Sequence, residues 1–92
     1  MKDYRIIAPF LDEDGRLKSY PTKQKKKAVA LQYLAEKLEK DVCYTEKQIN
    51  ELINSWTLFR DPATLRREMY NHHLIDRTKD CSSYWLEHQP EE

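Results

Sequence analysis

The sharpest group of side chains able to grip an anion or a base edge is Arg66, Arg67, Tyr70 and Asn71. On a helix, Arg67 and Asn71 stand four apart and share one side. Tyr70 lies beside them, where it can reach a phosphate backbone, and Arg66 lies at the flank. An arginine fork can hold guanine or phosphate through two hydrogen bonds. The plainer use of these arginines is to pair with Glu68, Glu46 or Glu51 and tie one helix to the next. An exposed pair of that kind contributes only ~0–1 kcal/mol. A second group is Lys23, Lys25, Lys26 and Lys27, ammonium groups suited to nucleic-acid phosphates. They crowd the start of a helix, where the dipole disfavours cations by ~0.3–1 kcal/mol. An acidic neighbour (Asp12, Glu13 or Asp14) or an anionic partner would offset this, and a solvated face is the plain alternative. The third group, Arg77, Lys79, Tyr84 and Trp85, lies near the end of the chain.

Other chemistry finds less support. His72 and His73 are adjacent, so on a helix they diverge by about 100°; they and Cys81 are not expected to share a metal ion. Glycine occurs once, at Gly15. A phosphate-cradling loop and a dinucleotide-binding turn each need two or more glycines close together, and so does a nucleophile elbow. No spacing groups a nucleophile, a base and an orienting residue. The reading is non-enzymatic, with no cofactor, no metal and no small-molecule substrate evident. Cys43 and Cys81 match no close-spaced motif and read as free thiols.

Sixteen basic and sixteen acidic residues cancel over the 92 residues. Phosphate neutralisation alone would usually bring a basic excess. The excess is local: residues 21–40 hold six lysines against Glu36 and Glu39, whereas Glu87–Glu92 holds three glutamates and no lysine or arginine. The apolar run Ile6–Leu11 follows Asp3 and is too short for a signal peptide or a membrane span. A cytoplasmic protein is expected, with no membrane partner.

The elements that must position these residues are legible in outline. An apolar stretch over 3–11 is broken by Pro9, and Asp12-Glu13-Asp14-Gly15 reads as a turn. Arg16 to Tyr20 reads as extended, since Pro21 biases Tyr20 away from helix. Thr22 is the expected cap of a helix over 23–39, with Ala28, Leu31, Leu34, Ala35 and Leu38 on its inner stripe. Val29 and Tyr33 fall outside that stripe, so the N-terminal segment or a second copy should cover them. Val42-Cys43-Tyr44 is β-prone. Thr45 and Gln48 form a capping box for a helix over 46–56, patterned by Ile49, Leu52, Ile53 and Trp56. Asp61-Pro62 starts a third helix over 62–73. Leu65, Met69 and His72 should face in, with Ala63, Arg67, Tyr70 and Asn71 facing out. Residues 74–77 and 83–86 read as a hairpin, with Tyr84 and Leu86 buried and Trp85 partly covered by the N-terminal segment.

Helix, short strand, helix, helix, hairpin is the order of a winged helix. The fold class is therefore α+β and mostly helical: three helices plus a C-terminal β-hairpin, with the N-terminal apolar segment packed on the first helix. The expected organisation is a segment over 1–21, a winged-helix-like domain over 22–88 and a frayed tail over 89–92.

A set of motifs resembles one family along most of the chain. They are Gly15-Arg16-Leu17-Lys18, Tyr20-Pro21-x-Lys23, Tyr44-Thr45-Glu46-Lys47, Ile49-Asn50-Glu51, Trp56-x-x-Phe59, Asp61, Leu65-Arg66-Arg67-Glu68, Leu74-x-x-Arg77 and Tyr84-Trp85. Together they resemble the small bacterial domain DUF2087 over about residues 10–86. That resemblance implies a domain found alone or appended to helix-turn-helix regulators, and hence a transcription-linked role. It implies no activity and no ligand. Asp80-Cys81 stands where the family usually has Asp-Gly.

A recognition helix sets its early outward residues against the major groove, and wings often touch the DNA backbone. The expected nucleic-acid-binding residues are thus Lys23, Lys25, Lys26, Lys27, Arg66, Arg67, Tyr70, Asn71, Arg77 and Lys79. DNA is the first expected partner and a second copy of the chain the other. The alternative is a protein-interaction module of the same fold.

Overall fold

A computed structural model describes residues 4–87. The frayed tail expected over 89–92 lies outside them. The N-terminal apolar segment winds into a 3-10 helix, Tyr4–Phe10, whose Ile7 is fully buried. Pro9 fits within it. The Asp12–Gly15 turn forms as expected: Gly15 adopts a left-handed φ of 78°, and Asp12 Oδ1 accepts the amides of Asp14 and Arg16 at 2.9 and 2.8 Å. The extended arm that follows inserts Leu17, which is fully buried. Leu17 donates its amide to Trp56 O at 2.7 Å and accepts from Leu58 at 2.9 Å, so the arm is stitched to the loop before the third helix.

Helix α1 spans Gln24–Ala35. Thr22 is not its cap. Lys23 takes that position and has no side-chain acceptor to offer, so no side-chain cap bond forms. The inner stripe also differs at one residue. Ala28 is exposed and Ala30 is buried, because Ala30 stacks in one row below Leu34 and Leu38 while Leu31 and Ala35 form the second row. Beyond Ala35 the helix tightens into i→i+3 turns, Lys37 to Leu34 and Leu38 to Ala35, which still deliver Leu38 to the core. Tyr33 is covered from the N-terminal side. The Tyr4 ring meets it edge-on at 5.1 Å, and the Tyr33 hydroxyl donates to Gly15 O at 2.7 Å. Burial, with Glu36 beside it, raises the pKa of the Tyr4 hydroxyl.

Helix α2, Glu46–Ser55, carries the expected capping box: Gln48 N–H donates to Thr45 Oγ1 at 3.1 Å and Thr45 N–H to Gln48 Oε1 at 2.9 Å. Helix α3, Pro62–Asn71, starts at Asp61, which accepts the Thr64 amide at 3.4 Å. It ends two residues before the expected 73. His73 sits at φ 60°, its amide bonding Tyr70 O and that of Leu74 bonding Met69 O, a Schellman stop without glycine. His72 therefore caps the helix and is exposed rather than core.

Strands β1, Ile75–Arg77, and β2, Tyr84–Leu86, pair antiparallel with Ile75 opposite Leu86 and Arg77 opposite Tyr84. Tyr44 adds one antiparallel bridge to Tyr84, so the β-prone 42–44 piece lies alongside the hairpin. Tyr84 is buried; Leu86 and Trp85 are half-buried. The layout is α+β, mostly helical and winged-helix-like, with one core drawn from all three α-helices, the arm and the hairpin. Among the described residues, no helix is long and apolar enough to cross a membrane.

Candidate nucleic-acid interface

Burial of Leu65 and Met69 fixes how α3 is turned about its axis. Ala63, Arg67, Tyr70 and Asn71 are consequently exposed. Arg67 makes no hydrogen bond or ion pair among the described residues, so its fork is open. Arg66 behaves otherwise. Its side chain is only 17% exposed, with Nη2 3.3 Å from Glu46 Oε1. Nη1 donates to Asn50 Oδ1, and the guanidinium stands 5.5 Å from the Tyr84 ring centre. Arg66 thus ties α3 to α2, and of the two arginines Arg67 alone presents a free fork.

The hairpin brings a third guanidinium to the same place. Side chains alternate across a strand, so Arg77 shares the inward face of the ribbon with Ile75 and, across the ladder, Tyr84. Arg77 leans over α3, its guanidinium 4.5 Å from the Tyr70 ring centre. Its Nη1 donates to Cys81 Sγ at 2.8 Å. Cys81 occupies the turn at φ 61°. Thr78 Oγ1 steadies that turn, donating to Asp80 Oδ1 at 2.7 Å and accepting the Ser82 amide at 3.0 Å. The Thr78 hydroxyl, followed by Ser82, holds the Asp80 carboxyl below its ordinary value. Burial, then the hydrogen bond with Cys81, pushes the Tyr84 hydroxyl up.

Together these side chains line a cleft of about 330 Å³. Helix α3 contributes Ala63, Arg66, Arg67, Tyr70 and Asn71; the hairpin contributes Arg77, Cys81 and Tyr84. Among the described residues its walls hold three guanidiniums and no carboxylate.

The lysines lie elsewhere. None of Lys23, Lys25, Lys26, Lys27 or Lys79 lines the cleft. Lys26 sits 5.7 Å from the Phe10 ring centre and Lys27 5.5 Å from that of Tyr20. The acidic turn does not serve them: Asp12 and Asp14 both pair with Arg16, at 2.9 and 3.3 Å. The offset at this helix start comes from aromatic faces instead. Lys23 and Lys25 are exposed. Tyr20 links the region to α3 by donating to Glu68 Oε1 at 3.3 Å; burial and Glu68 push its hydroxyl up to about 12.

The profile of a family of uncharacterised proteins conserved in bacteria, DUF2087, matches residues 16–86. The chain belongs to the DUF2087 family. No curated protein and no solved structure matches it. Within this DUF2087 chain, Tyr84 of the hairpin group lines the cleft while buried as expected, and Cys81, outside the expected nucleic-acid-binding residues, lines it as well. The available signal for Cys81 is its place in the turn between the two strands.

Proposed function

We propose that this DUF2087 domain is a non-enzymatic, winged-helix-like module that binds DNA in a transcription-regulatory role, in the cytoplasm. The observation that carries the reading is the row Arg67, Tyr70 and Asn71 on the outward side of α3, with Arg77 of the hairpin on the same cleft. A helix with this side in the major groove would set Arg67 and Asn71 toward base edges or phosphates, and the hairpin turn with Lys79 toward the backbone. Lys23 and Lys25 would add phosphate contacts. A single module with few contacts binds DNA non-specifically with a Kd on the order of 10⁻⁴–10⁻⁶ M. Fluorescence anisotropy with a labelled duplex at low and moderate salt tests this. Binding should weaken with salt and with Arg67→Ala plus Asn71→Ala. No binding at low salt, or binding indifferent to those substitutions, removes the proposal.

A second reading, a protein-interaction module, is favoured by the exposure of Leu58 (46%) and Tyr70 (36%). It predicts self-association or partner binding that Leu58→Asp weakens, measured by light scattering on a sizing column. A Leu58→Asp chain of unchanged assembly state and partner binding counts against it.

A further inference from the structure

We infer that the cleft between α3 and the hairpin is a seat for a small phosphomonoester, through which a phosphorylated effector acts on the domain. Its volume of about 330 Å³ falls within the roughly 300–1,000 Å³ of small-molecule sites. The only charged side chains among the described residues that line it are the three arginines. Glu46 offsets Arg66 at 3.3 Å, which leaves Arg67 and Arg77 as the attracting pair.

Two guanidiniums are held before any ligand arrives. Arg77 lies against Tyr70 and Arg66 against Tyr84. Stacking occupies a guanidinium face and leaves its N–H edge for acceptors; each guanidinium carries five donors in one plane. Arg77 commits one to Cys81, and Arg67 commits none among the described residues. Forks from α3 and from the hairpin suit the oxygens of a phosphate, which takes bidentate pairs from more than one side. A phosphomonoester carries about −1.5 to −2 at neutral pH, against one charge for a carboxylate. The exposed Asn71 amide and Tyr70 ring edge give an organic group polar and flat surfaces to rest on. Side chains already held lower the ordering cost of binding.

An occupant here would cover Arg67, Tyr70 and Asn71, so effector and duplex would exclude each other. That consequence rests on the DNA-binding reading; the seat itself does not. The test is a titration of the full chain, followed by amide NMR, with inorganic phosphate and phenyl phosphate as probes. Saturable shifts are expected at Tyr70, Asn71, Arg77 and Cys81, with phenyl phosphate the tighter ligand. Arg67→Ala and Arg77→Lys, the latter keeping charge but losing the fork, should each weaken binding at least tenfold. Should Arg77→Lys disturb the hairpin, Arg67→Ala at its exposed position decides alone. No saturable shift at those amides, undiminished binding in Arg67→Ala, or shifts centred on Lys23–Lys27 overturn the inference. A labelled duplex added to the same samples separates the two readings. Phenyl phosphate binding without duplex binding upholds the seat and removes the DNA role. Duplex binding without phenyl phosphate binding does the reverse.

Discussion

The domain has two basic regions, and they are built on opposite plans. The start of α1 carries four lysines close together, none of them paired with a carboxylate among the described residues; two rest over aromatic rings and two are exposed. The α3–hairpin cleft has fewer cations, but two of its three are fixed against tyrosines and one is bonded to a thiol. The first region offers mobile point charges that attract any polyanion and are weakened readily by salt. The second offers planar forks, two of them held in place, which can discriminate. Charge density alone would favour the lysines; geometry favours the arginines.

The largest break in this contrast would come from the core beneath the cleft. Leu65 is fully buried on α3. Leu65→Ala should cost ~2–5 kcal/mol in denaturant unfolding, and a loss under ~1 kcal/mol would show that α3 is not what anchors the arginines. Next in size is duplex binding. Charge-assisted hydrogen bonds are each worth ~1.5–3 kcal/mol, so Arg67→Ala with Arg77→Ala should reduce affinity tenfold or more. Lys23→Ala with Lys25→Ala should instead lower the salt slope by about one for each phosphate left without its lysine and cost only a few-fold. Anisotropy at several salt concentrations compares the pairs, and an inverted ranking would transfer the binding role to α1.

A smaller effect is expected at the turn. Cys81 holds φ 61°, a conformation that costs a side-chain-bearing residue ~1–2 kcal/mol and glycine almost nothing. Cys81→Gly should keep or raise thermal stability while freeing Arg77 from its bond to sulfur. A clear loss of stability would mean that the Arg77–Cys81 bond outweighs the backbone strain.

The smallest effect is a titration that sharpens the contrast by showing where the carboxylates belong. Asp12 is held below its ordinary 3.8 chiefly by the Arg16 amide, and Asp80, likewise below 3.8, chiefly by the Thr78 hydroxyl. A lowered folded-state value stabilises the fold at pH above the unfolded value, and that contribution fades as pH falls through the lowered one. The amide shifts of Arg16 and Ser82, which donate to these carboxylates, should therefore titrate with midpoints below 3.8. If Lys25→Ala or Lys26→Ala moves the Asp12 midpoint, the lysines have an internal counter-ion after all.

The sequence by itself determined what depends on neighbouring residues. The Thr45–Gln48 box, the Asp61-Pro62 start and the Asp12–Gly15 turn are local hydrogen-bonding arrangements, and all three formed. The 3.6-residue spacing of Leu65 and Met69 likewise set which side of α3 faces out. Tertiary structure decided the rest. Arg66 and Arg67 are adjacent and chemically identical, and only the approach of Glu46, Asn50 and Tyr84 ties one down while the other stays open. The left-handed stops at His73 and Cys81 carry no glycine to announce them. Arg77 joined α3 because strand pairing set it opposite Tyr84 and within reach of Tyr70. Chain-local bonds can be read from residue order because their partners are covalently near. A cleft closed by segments far apart in sequence depends on how the core packs, and residue order does not record that.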